Sequence, residues 1–152
     1  MITSGVTGFR STGSTLFRPF FLSHLAKANA EIEHLHDAWR CIDEAITGLE
    51  TAKERWCEAE VNRIAGEVAL LSPERDVEKT QGYFERALSV ARQQHAKSWE
   101  LRAAMSMARL LRDQGKREQA RDLLAPVYGW FTEGFDTLDL KEAKALFGEL
   151  HA

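Results

Sequence analysis

The sequence predicts an all-α chain folded as a short array of helical hairpins, and three observations predict it. From about Thr15 to the end, apolar residues recur at helical spacing, with no alternation long enough for a strand. Glycine and proline divide that pattern into segments of ordinary helix length. The segments then repeat with a period near 40 residues, as expected for stacked supersecondary units.

Residues 1–14 are rich in Gly, Ser and Thr and carry no helical period, which predicts a flexible N-terminal arm before one repeat domain over 15–152. Helices are expected near 15–33, 36–52, 55–71, 76–94, 98–114, 117–131 and 139–150. Six of them pair as hairpins over about 15–52, 55–94 and 98–131, and the seventh closes the array. Gly48, inside the second segment, costs roughly 1 kcal/mol relative to Ala and is expected to loosen that helix's end. Ser72-Pro73 marks a boundary, because proline has no N–H to give an interior turn. Gly115 in RDQGKRE suits a left-handed helix stop followed by a tight turn. Asp139 with Glu142 three residues on reads as a capping box opening the last helix.

The repeat is clearest in the second helix of each pair. Ala38-Trp39-Arg40-Cys41-Ile42-Asp43-Glu44-Ala45, Gly82-Tyr83-Phe84-Glu85-Arg86-Ala87-Leu88 and Ala120-Arg121-Asp122-Leu123-Leu124-Ala125-Pro126-Val127 share a large-then-small pattern. Ala45, Ala87 and Val127 stand 42 and then 40 residues apart, and Trp56 and Trp99 stand 43 apart in the first helices. With a small residue in helix A (Ala26, Gly66, Ala108) and a short one opening helix B (Ala38, Thr80, Ala120), the chain resembles the tetratricopeptide family. Small residues let two helices approach closely, and a large neighbour fills the space beside them. The period of 40–42 departs from that family's 34 and is similar to its longer bacterial variety.

A closer resemblance runs from about Phe9 onward. The blocks FRSTGSTLFRPFFLSHLAKA, ERWCEAEVNRIAGEVALL, YFERALSVARQQHAKSWELRAAMSMARLLRDQGK and ARDLLAPVYGWFTEGFDTLDLKEAKALF resemble the C-terminal end of bacterial proteins that fuse a class III nucleotidyl cyclase, a P-loop ATPase and a TPR-like array. That resemblance implies a right-handed solenoid attached to signalling machinery. It also implies a fragment or short relative, since the start resembles the middle of such an array.

Composition bounds the function. One domain is expected from 152 residues, and 44% hydrophobic with 28% charged residues fits a folded chain. No apolar run is long enough for a membrane span, and MITSGVTGFRSTGS lacks a signal-peptide core, so a cytoplasmic protein with reduced Cys41 and Cys57 is expected. The net charge of −3 gives no overall bias toward nucleic acid, but its distribution is polarised. Residues 28–60 hold nine acids and three bases, whereas residues 86–121 hold nine bases and three acids.

Catalytic signatures are missing from the sequence. There is no GxxxxGK[ST] loop for ATP and no strand pair to carry cyclase aspartates, so no enzyme and no cofactor is expected. His34-Leu35-His36 puts two imidazoles on opposite sides of a helix, which disfavours a metal site, and Cys41 and Cys57 read as small buried hydrophobes. The arginine run with Tyr83 and Trp99 raises nucleic-acid binding only as a third reading, below solvated helix faces.

What remains is a non-catalytic module that binds a protein or peptide. The resemblance places family groove positions at His24 and Lys27, then Glu60, Arg63 and Glu67, then Arg102, Met105, Arg109 and Arg112, on a concave side lined by helix A. The alternative is structural: self-association into a homo-oligomer through opposite charges, or packing against a missing upstream region. Tyr128, Trp130, Phe131 and Phe135 read as packing between the last hairpin and the closing helix, with an exposed docking patch as the second reading.

Overall fold

A computed structural model describes residues 17–51 and 55–151, so the N-terminal arm expected over 1–14 lies outside the described residues, as do Thr15, Leu16 and residues 52–54. The chain is all-helical, with helices α1 (Arg18–Glu31), α2 (Leu35–Thr51), α3 (Glu58–Leu71), α4 (Val77–Gln93), α5 (Lys97–Asp113), α6 (Arg117–Trp130) and α7 (Leu138–His151), and no strand among the described residues. Consecutive helices pair as hairpins α1–α2, α3–α4 and α5–α6. The first members stack on one another through α1–α3, α3–α5 and α5–α7 contacts, forming an A layer, while α2, α4 and α6 each bridge to the next A helix as a B layer. Helix α7 therefore occupies the place of a fourth A helix, and its solvent side carries Lys141, Glu142, Lys144 and Glu149.

The repeat register is the packing register. Ala38, Thr80 and Ala120 are all fully buried, and so are Ile42, Phe84 and Leu124 four residues later on each B helix. Their partners on the A helices are the small Ala26, Gly66 and Ala108, all buried. At Gly66 the approach is closest: an added Cβ would fall inside the Phe84 ring, 2.6 Å from Cδ1. Gly48 serves a similar purpose. Helix α2 continues past it to Thr51, and a Cβ there would press on Pro19 Cγ at 3.2 Å. Its absence of a side chain is explained by helix approach, so the expected loosening of the helix end is not found.

Three helix ends use one device. At Gly115 (φ +79°), the Gly115 and Lys116 amides donate to the Arg112 and Leu111 carbonyls, capping α5 with a left-handed residue. Glu33 (φ 65°) and His95 (φ 53°) close α1 and α4 with the same hydrogen-bond pattern, although neither is glycine. The left-handed conformation costs a side-chain-bearing residue about 1–2 kcal/mol, so the flanking helix packing holds these turns. Ser72 ends α3 before Pro73, and Asp76 caps α4 by accepting from the Lys79 amide at 3.0 Å. Two sequence expectations shift. Helix α3 starts at Glu58, so Trp56 sits in the preceding turn, packed 5.4 Å from the rings of Phe17 and Phe20, while Trp99 lies on α5. The last helix opens two residues before Asp139, with Thr137 Oγ1 accepting from the Leu140 amide at 3.4 Å, because a hydroxyl just ahead of the first helical residue is better placed than a carboxylate inside the turn.

Gly66 and Gly82 should respond oppositely to alanine. Gly66→Ala should destabilise by about 1–3 kcal/mol, because buried Phe84 must move. Gly82→Ala, with open space around the new methyl, should stabilise α4 by up to about 1 kcal/mol. Urea unfolding midpoints of the two variants check the contrast.

Candidate functional site

Buried charge is concentrated where the A helices meet. Glu60 on α3 is 1% exposed, and its carboxylate lies between two guanidiniums. Arg63, one turn along α3, donates from Nε to Glu60 Oε1 at 2.5 Å. From α5, Arg102 Nη1 sits 2.5 Å from Glu60 Oε2, an ionic contact out of line for a hydrogen bond. Arg63 Nη1 also reaches Ser106 Oγ on α5 at 3.3 Å and Glu67 Oε1 at 3.4 Å, and the Ser106 hydroxyl donates to Glu67 at 2.9 Å. Burial by itself would lower the Arg63 pKa. The hydrogen bond to Glu60 and the carboxylates of Glu60, Glu67 and Asp139 outweigh it and hold the pKa above its ordinary value. A planar guanidinium with several donors suits this cluster better than an ammonium could.

The ionic rows continue to α7. Arg102 Nε lies 3.7 Å from Asp139, Arg109 Nη2 lies 3.7 Å from Glu142, and Arg112 Nη1 donates to Glu149 at 2.6 Å. Signs alternate down the repeat: Glu60, Arg102 and Glu142 stand 42 and 40 residues apart, as do Glu67, Arg109 and Glu149, with Lys27 40 residues before Glu67. On the other layer, Arg86 reaches Glu58 at 3.0 Å and Arg92 reaches Glu100 at 3.3 Å. Five arginines of the basic run 86–121 thus face carboxylates of the same chain, and the acidic stretch 28–60 supplies two of the partners.

Each expected groove residue can now be placed. Glu60, Arg63, Glu67 and Arg102 form one network joining α3 to α5. Arg109 and Arg112 form the rows to α7, and Lys27 is half-buried on α1. Met105 is 2% exposed and packs in the core with Ala104, Ala108 and Leu124, so it presents no surface for a partner. His24 stacks edge-on against Phe20 at 4.5 Å, and its Nε2 is buried without a hydrogen-bond partner. Ser106 and the α7 carboxylates were not among the expected residues. A serine inside a helix carries no sequence signal, whereas Glu142 and Glu149 could have been found by extending the 40-residue register one step further.

The remaining titratable residues take structural places. Burial pushes the Cys57 thiol up to about 11, with Glu58 and Glu60 acting in the same direction, so it remains protonated in a packed cluster with Leu22 and Val61. His34 lies in the turn before α2 and His36 within it. No family model, curated protein or solved structure matches this chain.

Two predictions follow from this network. Arg63→Met leaves Glu60 buried with one cation fewer and should cost about 3–5 kcal/mol, read by chemical unfolding. His24 has its pKa lowered, chiefly by burial, with Arg102, Arg63 and Lys27 adding to the effect and Glu60 opposing it. Below the unfolded value of about 6.5 the unfolded chain therefore binds more protons, so stability is full above that pH and falls as pH drops below it. His24→Asn should flatten this slope in unfolding curves taken between about pH 7 and pH 5.

Proposed function

We propose that this chain is a non-catalytic, TPR-like interaction module that binds a protein or peptide segment along its A layer. The observation that carries the reading is the continuous stack α1–α3–α5–α7. It aligns side chains from four helices at a repeating interval, the arrangement by which helical solenoids present extended binding surfaces. Lys27, Arg109 and Arg112 keep part of their side chains in solvent on that layer and supply the basic contacts. Arg102 acts differently. Its link to Glu60 holds α5 on α3 and so positions the surface without needing to touch the partner. The resemblance to the C-terminal arrays of cyclase–ATPase fusion proteins supports a place in a bacterial signalling protein acting in the cytoplasm. No helix among the described residues is long and apolar enough to cross a membrane.

Binding by this surface selects segments with acidic side chains spaced to meet Lys27 at one end and Arg109 at the other. Lys27→Glu with Arg109→Glu should abolish specific capture of protein partners from bacterial lysate while leaving helicity unchanged by circular dichroism. Capture of the same partners by the double variant removes the A layer as the binding face.

A further inference from the structure

The connection between α6 and α7 is built unlike the other turns. Trp130, Phe135 and Leu138 are exposed by 57%, 47% and 70%, three large apolar side chains within nine residues. Monomeric proteins rarely keep such a group together at the surface unless something covers it. Between them the sequence FTEGFDTLD carries Glu133, Asp136 and Asp139 and no base. Tyr128, on α6, anchors the turn from beneath: its ring stacks on Phe135 at 6.0 Å and packs on Phe147 of α7 at 6.1 Å. Gly134, in the left-handed conformation (φ +77°), sets the bend between the aromatic residues.

Beside these side chains lies an open cleft of about 200 Å³, lined by Leu101, Phe131, Gly134 and Leu140, with Glu133 and Asp139 at its rim. A drug-sized ligand takes a pocket of roughly 300–1,000 Å³, whereas this cleft accepts one large side chain. Asp139 is turned toward Arg102, 3.7 Å away, while Glu133 and Asp136 are exposed at the surface.

We infer that the α6–α7 turn is a docking edge for a basic amphipathic helix of a partner protein. One apolar residue of that helix enters the cleft, and those three or four positions along it cover Phe135 and Leu138, in the manner of helix-in-groove recognition. Lysines or arginines flanking the apolar stripe meet Glu133 and Asp136. Charge complementarity selects this occupant: the apolar group would take any hydrophobic helix, and the interleaved carboxylates reject an acidic one. The edge lies outside the A-layer surface proposed above, so either can fail without the other.

The test titrates the full chain against two fluorescently labelled helical peptides, one alternating Leu and Lys in an amphipathic pattern and one with Glu in place of Lys, and reads anisotropy. The Leu/Lys peptide should bind at least about tenfold more tightly than the Leu/Glu peptide, a difference of about 1.4 kcal/mol. Phe135→Ser with Leu138→Ser, both at exposed positions, should weaken it by about tenfold or more at unchanged helicity. Glu133→Lys with Asp136→Lys should reverse the preference. Failure to bind the Leu/Lys peptide, equal affinity for both peptides, or full retention by the Phe135/Leu138 variant overturns the proposal. So does a dimer in sedimentation that the same variant dissolves, which assigns the edge to a second copy, or binding to anionic vesicles that it abolishes, which assigns the edge to a membrane surface.

Discussion

The fold depends on how one buried carboxylate is held. Glu60 is nearly inaccessible to solvent, and isolating a charge in such a place costs several kcal/mol unless cations and hydrogen bonds compensate. Arg63 compensates from the same helix and Arg102 from the next A helix, so the carboxylate is satisfied only while α3 and α5 are stacked. A hydrophobic seam would tolerate sliding of one helix along the other. This ionic knot does not, because a shift of one turn would leave Glu60 facing apolar side chains. The stacking distance and register of the A layer therefore follow from a charge that the chain must not leave unpaired.

Around that knot the hairpins close by size complementarity. Gly66 has no room for a methyl group because Phe84 lies against its Cα, and the same large-on-small arrangement is built with Ile42 and Ala26 and with Leu124 and Ala108. The polarised charge of the sequence has its explanation here. Acids of the second hairpin's first helix meet bases one hairpin further on, as Glu58 meets Arg86 and Glu60 meets Arg102, so each unit carries the counter-charges of its neighbour. An array assembled this way joins units in order without a net field along its length.

The hairpin architecture was legible because periodicity and residue size are local properties of sequence. All seven helices, their pairing and the small-large register could be read from spacing alone. Chemistry that depends on the third dimension was not legible. Glu33 and His95 occupy left-handed turns that only Gly115 advertised, because packing of the flanking helices overrides their preference. Met105 shared a helix face with Arg102 and Arg109 in projection but turns into the core between α5 and α6. Ser106 joins Arg63 to Glu67 through a hydroxyl that no motif marks. The charged candidates were found correctly as a face of helix A, yet four of them engage one another across the helix boundary, a fact invisible until α3 and α5 are stacked.

That engagement redistributes where recognition chemistry can reside. A side chain committed to an internal ion pair must break it to bind a partner, so the centre of the A layer contributes position more than affinity. Solvent-facing groups without that commitment gather at the margins, at Lys27 near one end and along the turn after α6 at the other. The margins also differ in construction. The three-residue turns after α1, α4 and α5 are closed by backbone hydrogen bonds and leave little chain to vary, whereas residues 131–137 form a longer connection before α7. Since α7 already presents a polar outer side with Lys141 and Lys144, the exposed aromatic and aliphatic groups of that turn do not arise from an array end left unfinished. They are confined to one connection, on a platform made rigid by Tyr128 and Phe147 beneath it, which is where a chain under pressure for solubility would otherwise place polar residues.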